Sequence, residues 1–115
     1  MGCNASVPAG TIGLRKRAGG KKLVLGYWKF RGGIRGNVAR YLLAYGNADW
    51  EEKNMLKPEW DKVKTNLMDF PNLPYIIDGD FKLSETYAVH QYIAQKYCPD
   101  VLGNTPEERA RAYQL

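Results

Sequence analysis

The sequence predicts an α/β domain built on a mixed four-stranded sheet, with its elements ordered βαβ and then ββα. Three observations carry that expectation. A β-type run, "LVLGYW" (Leu23 to Trp28), passes through glycines into a segment whose apolar residues recur at helical spacing. Two more short runs, "PYIID" and "FKL", flank Gly79-Asp80 and form a predicted hairpin. Pro74 stands directly before the first of these, and a proline cannot donate to a ladder, so it belongs at a strand's first position or on an edge.

Residues 1–22, "MGCNASVPAGTIGLRKRAGGKK", contain five glycines, no aromatic residue and a basic cluster at Arg15, Lys16, Arg17, Lys21 and Lys22. They can bury little and are expected to form a flexible basic arm. The main domain is expected over residues 23–103. After the first strand, "IRGNVARYLLAY" places Ile34, Val38, Leu42 and Tyr45 on one helical face, the face expected to meet the core. "DWEEKNML" carries a weaker strand signal. "PEWDKVKTNL" opens with Pro58 and suits either a short helix or an irregular segment. Beyond the hairpin, Ala88, Val89, Tyr92 and Ile93 mark an amphipathic helix that ends near Tyr97, before Pro99. Thr105, Pro106 and Glu108 then supply a capping threonine, a first-turn proline and a capping-box glutamate. Residues 104–115 are therefore expected to open a further helical unit, because an isolated helix of about three turns is marginal in water.

With 115 residues and 44% apolar content, the chain supports one domain of ordinary size. Its net charge of +5 is uneven: nine basic residues and no acid precede Asp49, whereas the remainder carries eight basic and twelve acidic side chains. No run approaches the roughly 20 apolar residues of a membrane span. Cys3 and Cys98 are far apart and form neither a CxxC pair nor a disulfide framework, so neither a metal site nor a disulfide scaffold is expected, and a reducing compartment is the default. The basic arm has no aromatic residue for stacking on bases, so nucleic acid is not an expected partner.

A βαβ-ββα order with a proline before the third strand is the pattern of a thioredoxin-like fold. Within it, "LGYWKFRGG" and "DFPNLPYIIDGDFKLSETYAVHQYIA" together resemble the N-terminal domain of the cytosolic glutathione transferases, most of all the mu class. The resemblance runs from Leu23 to about Leu115. It implies that Tyr27, at the end of the first strand, donates its hydroxyl to the sulfur of glutathione. Such a donor favours thiolate over thiol, and an unperturbed thiol, with a pKa of ~8.5, is mostly protonated at neutral pH. Pro74 is expected to follow a cis peptide bond, with Leu73 offering its backbone N–H and C=O to the cysteinyl unit and Asn72 beside it. Thr86, at a helix start, would hold the γ-glutamyl carboxylate and Glu85 would pair with the ammonium. The mu class usually carries Gln-Ser at these two positions, a departure that keeps the chemistry. Trp60 and Lys64, spaced by four, match residues that reach the glycine carboxylate, and Trp28 matches another glutathione contact. Gly33 stands where mu enzymes carry a bulky apolar residue near the electrophile pocket. His90, in mid-helix, is expected to be structural.

The implied activity is attack of glutathione thiolate on a small electrophile, with glutathione as co-substrate and no prosthetic group. Three alternatives stay open: a glutathione-dependent isomerase of the sigma type, a non-catalytic, membrane-tethered glutathione-binding adaptor, and a basic-tail interaction protein that ignores glutathione. The resemblance also implies an all-helical second domain after residue 115 and a homodimer in a full-length form. The chain could be a fragment of that form or a truncated version of it. At the other end, "MGCNAS" fits N-myristoylation of Gly2 with Cys3 placed for a second acyl chain. With the basic cluster, two lipid signals would tether a cytoplasmic domain to a membrane surface. An unmodified start and a cleaved presequence are the alternatives.

Overall fold

The computed structural model describes residues 22–29 and 34–114. The elements are β1 (Leu23–Trp28), α1 (Ile34–Tyr45), β2 (Trp50–Met55), α2 (Lys57–Leu67), β3 (Tyr75–Asp78), β4 (Phe81–Ser84), α3 (Thr86–Tyr97), a 3-10 turn (Pro99–Leu102) and α4 (Pro106–Gln114). The sheet runs β2-β1-β3-β4. β1 and β2 are parallel, and β3 is antiparallel to both β1 and β4. This is the mixed sheet of a thioredoxin-like domain.

β1 lies inside the sheet, which explains its nearly unbroken apolar run: Leu23, Leu25 and Tyr27 are all buried. On one face, Leu23, Leu25 and Ile76 pack with Ala39 and Leu43 of α1 and with Val89, Ile93 and Tyr97 of α3. Each large aliphatic side chain so buried contributes about 1.5–3 kcal/mol. A second cluster joins Met55, Trp60 of α2, Leu73 and Tyr75 to Tyr27 at the end of β1.

The buried face of α1 differs from the one its apolar spacing suggests. Val38 and Tyr45 are 43% and 56% exposed, and the residues against the sheet are Gly36, Ala39 and Leu43. Small side chains win that face because the helix lies close to its neighbours: a Cβ added to Gly36 would sit 2.8 Å from the Tyr27 ring. Hydrophobicity alone ranks Val38 and Tyr45 above Gly36 and Ala39, so the stripe is displaced by about one position.

The segment after β2 is a helix, with Pro58 in its first turn and the Glu59 carboxylate accepting the Leu56 N–H at 3.0 Å. In the hairpin, Tyr75 faces Ser84 and Asp78 faces Phe81. Gly79 supplies the turn's left-handed residue at φ +67°. α3 is tied back to β3 by Asp78, whose buried carboxylate accepts from Tyr92 Oη and Lys96 Nζ, both at 2.5 Å. At the start of α4, Thr105 Oγ1 accepts the Glu108 N–H at 3.1 Å and the Glu108 carboxylate accepts the Asn104 N–H at 2.6 Å. Among the described residues, no helix is long and apolar enough to cross a membrane. The basic arm lies outside the described residues.

Candidate active site

The carboxyl ends of parallel strands in an open α/β sheet leave a crevice where the chain departs into loops. Here the end of β1, the first turns of α1 and α2, and the loop before β3 enclose an open cleft of about 610 Å³, lined by Tyr27, Trp28, Arg35, Lys57, Asn72 and Leu73. Tyr27 is 5% exposed. Its ring rests on α1, against Gly36, and the Arg40 guanidinium carbon lies 5.8 Å from the ring centroid.

Behind the cleft, aromatic rings form a continuous wall. Trp28 meets Trp60 edge-on, with centroids 6.5 Å apart, and Trp60 stacks on Tyr75 at 6.0 Å with an interplanar angle of 14°. Burial pushes the Tyr75 phenol above its ordinary pKa. Trp60 is thus a buttress to the wall, while Trp28 faces the cleft itself.

The loop before β3 supplies the polar rim. The Leu73–Pro74 peptide bond is cis. Asn72 Oδ1 accepts the Leu73 N–H at 2.9 Å, and Asn72 Nδ2 donates to Glu85 Oε2 at 2.7 Å. Glu85 therefore reaches the cleft through Asn72. It caps α3 with φ +79°, so Thr86 is the first helical residue.

On the opposite side, Lys57 Nζ lies 3.1 Å from both carboxylate oxygens of Asp61, and Lys64 Nζ lies 3.3 Å from one of them. The Lys57 hydrogen bond, ahead of the other contributions, holds the Asp61 carboxyl below the usual carboxylate range. Lys57 belongs to the cleft wall; Lys64 faces Asp61 and does not line the cleft. Arg35 and Lys57 were not among the residues singled out from sequence. The available signal was their setting: Arg35 closes the basic, glycine-rich run after β1, and Lys57 precedes a first-turn proline at the mouth of a helix. Gly33, Gly2 and Cys3 lie outside the described residues.

His90 is half-buried on α3, with a hydrogen bond to the Arg35 backbone and with Nε2 lacking a partner among the described residues. Burial lowers its pKa from 6.5, partly opposed by the Arg35 hydrogen bond. It borders a separate hollow of about 520 Å³ between α3 and α4 that contains none of the cleft residues. Among the described residues, no three His, Cys, Asp or Glu side chains converge as metal ligands.

Residues 23–95 match the family model described as "Glutathione S-transferase, N-terminal domain". The chain belongs to the glutathione S-transferase family. It is 47% identical over 95 residues to a glutathione S-transferase of Tyrophagus putrescentiae, covering 76% of this chain and 42% of that protein. It is 41% identical over 96 residues to the class-mu 26 kDa isozyme of Schistosoma japonicum, covering 80% and 42%. Among solved structures, a Nu-class enzyme from Haemonchus contortus superposes with a TM-score of 0.65 at 26% identity, covering 77% of this chain and 41% of that one. The chain thus spans less than half the length of these relatives, and what it shares with them is the N-terminal, thioredoxin-like domain of a mu-like transferase.

Proposed function

We propose that this chain carries the glutathione-binding half of a transferase that conjugates glutathione to small electrophiles, with Tyr27 as the group that stabilises the thiolate. The observation that carries the proposal is the convergence of Tyr27, Asn72 and Leu73 on one cleft at the carboxyl end of β1. A phenol donor, an extended backbone edge and cations on the far wall match a sulfur, a peptide unit and a carboxylate in that order. Glutathione, a tripeptide with a free thiol and a carboxylate at each end, has that sequence of groups.

In the reaction, the thiol loses its proton to solvent, and the Tyr27 hydroxyl donates a hydrogen bond to the sulfur left behind. A hydrogen bond to a charged acceptor contributes about 1.5–3 kcal/mol, and each unit of pKa lowering corresponds to about 1.4 kcal/mol, so one such bond accounts for one to two units. The thiolate then attacks an electrophilic carbon: a C–S bond forms, and in a substitution the leaving group departs with the bonding pair. Leu73 orients the cysteinyl unit through its N–H, which a ligand carbonyl takes over from Asn72 Oδ1. Thr86 and Glu85 hold the γ-glutamyl end, and Trp28 and Lys57 the glycine end, with Lys64 set behind Lys57 on Asp61 and Trp60 and Pro74 shaping the wall. Gly33 is proposed for the electrophile pocket.

The same proposal includes a cytoplasmic homodimer and an acyl anchor at Gly2 and Cys3. Its support is the family for the dimer and the "MGCNAS" pattern with its basic cluster for the anchor. The test is calorimetric titration of glutathione into the chain and into Tyr27→Phe, with chlorodinitrobenzene turnover recorded on both. Binding by both with turnover only in the parent is the expected result; equal turnover by the two removes Tyr27 from the chemistry.

A further inference from the structure

The underside of Tyr27 is occupied in a way that the proposed reaction does not yet use. Arg40 stands one helical turn beyond Gly36 on α1, and the two form the surface on which the Tyr27 ring lies. Three contacts fix the guanidinium there. Its Nε is 2.9 Å from Glu52 Oε2 on β2, its Nη1 is 2.7 Å from Asn37 Oδ1 one turn back, and its carbon is 5.8 Å from the ring centroid. The Arg40–Glu52 pair is about three-quarters shielded from solvent, with relative side-chain exposures of 23% and 24%.

We propose that Arg40 is a positioning residue for Tyr27: held by Glu52 and Asn37 beneath the ring, it fixes the phenol's direction into the cleft and strengthens the hydroxyl as a donor. The inference rests on the role proposed above for Tyr27. A cation over an aromatic face draws on the ring's electron density, which polarises the O–H outward. The arrangement needs its accessories. Without Glu52 and Asn37, an arginine side chain would reorient toward solvent, and with any Cβ at position 36 the ring would be lifted off the helix. Gly36 and Arg40 thus place a ring and a cation together where a large apolar residue would otherwise cover the strand.

Among the described residues, the other charges that line the cleft are Arg35 and Lys57, with Glu52 behind Arg40. A plain charge effect from Arg40 must therefore be separated from one routed through the phenol. The experiment records the ultraviolet absorbance of bound glutathione thiolate against pH in the parent, Arg40→Leu, Arg40→Lys, Tyr27→Phe and the Tyr27→Phe/Arg40→Leu double variant. Affinity for S-methylglutathione, which has no thiol to ionise, is measured alongside, and circular dichroism verifies folding.

Arg40→Leu is expected to raise the apparent pKa of the bound thiol by about half a unit to one unit, a roughly three- to tenfold loss of thiolate below that pKa. Binding of S-methylglutathione should change less than about twofold. Arg40→Lys should restore most of the shift, and Arg40→Leu should add nothing in the Tyr27→Phe background. Superimposable curves for the parent and Arg40→Leu overturn the proposal, as does an equal shift when Tyr27 is already Phe. Loss of S-methylglutathione binding in step with the pKa shift also overturns it, since that assigns Arg40 a structural role alone. If Tyr27→Phe leaves the thiol pKa in place, the role of Tyr27 fails first and this inference fails with it.

Discussion

Replacing Gly26 by alanine is the most direct probe of how the core builds the cleft. A Cβ at position 26 would lie 2.1 Å from both Cε2 and Cζ of Tyr75. Carbon atoms settle at about 3.5–4.0 Å, so the ring must withdraw by roughly 1.5 Å. It has little room to do so, because Tyr75 is 1% exposed and Trp60 stacks on it at 6.0 Å, with Trp28 set edge-on behind. The expected cost is about 3 kcal/mol, the upper part of the usual range for overpacking. With a urea m-value of about 1.5 kcal/mol/M for a small domain, the unfolding midpoint should fall by about 2 M. Tyr75→Leu in the same chain replaces the ring with a side chain that can turn aside, so Gly26→Ala should cost at least about 1 kcal/mol less in that background. A midpoint shift below about 0.3 M, or costs that simply add, would refute the stack as the reason for glycine at this position.

The other predictions concern charge. Lys57→Ala is expected to weaken glutathione binding about tenfold and Lys64→Ala less than threefold, by calorimetry, because only Lys57 lines the cleft. His90 is held neutral by burial, its folded pKa lying below 6.5, so the unfolded chain takes up a proton first as pH falls. Stability from this group is therefore complete above that value and declines as pH drops through it toward the folded pKa. His90→Gln should flatten that slope in urea melts taken from about pH 7.5 to about pH 5.5. Glu85→Gly relieves a left-handed φ of +79° and removes the carboxylate bonded to Asn72. The fold should gain about 1 kcal/mol in chemical unfolding while glutathione affinity drops.

Much of the frame was legible because its signals are local. The strand run from Leu23, the Gly79-Asp80 hairpin and the Thr105 cap each follow from a few adjacent residues, and the structure has elements at each. The buried face of α1 was not legible, because what selects Gly36 and Ala39 for the interior is the nearness of the Tyr27 ring and α3, a tertiary fact with no periodic trace. For the site, Tyr27, Asn72 and Leu73 came from motif and meet in one cleft. Lys57 escaped because helical spacing relates Lys64 to Trp60 but says nothing about which lysine faces the end of β1. Arg40 escaped for a similar reason: its partners Glu52 and Tyr27 lie on two different strands, joined only once β1 and β2 pair in parallel.

The cleft also satisfies itself, and this shapes the affinity to be expected of it. The Leu73 N–H is taken by Asn72, the Asn72 amide by Glu85, and Lys57 and Lys64 by Asp61. A ligand entering therefore exchanges hydrogen bonds, and each exchange is worth about 0.5–1.5 kcal/mol at most, less when the displaced partner must find water. Affinity then depends on several exchanges made together by one molecule, against the ordering cost of binding it. A short peptide that offers a carbonyl to Leu73 and a carboxylate to Lys57 at the same time meets that condition, whereas an isolated amide or carboxylate competes for one partner and gains little. On the proposed function, selectivity for a tripeptide over its fragments is the expected result of the pairings that already hold Leu73, Asn72, Lys57 and Lys64.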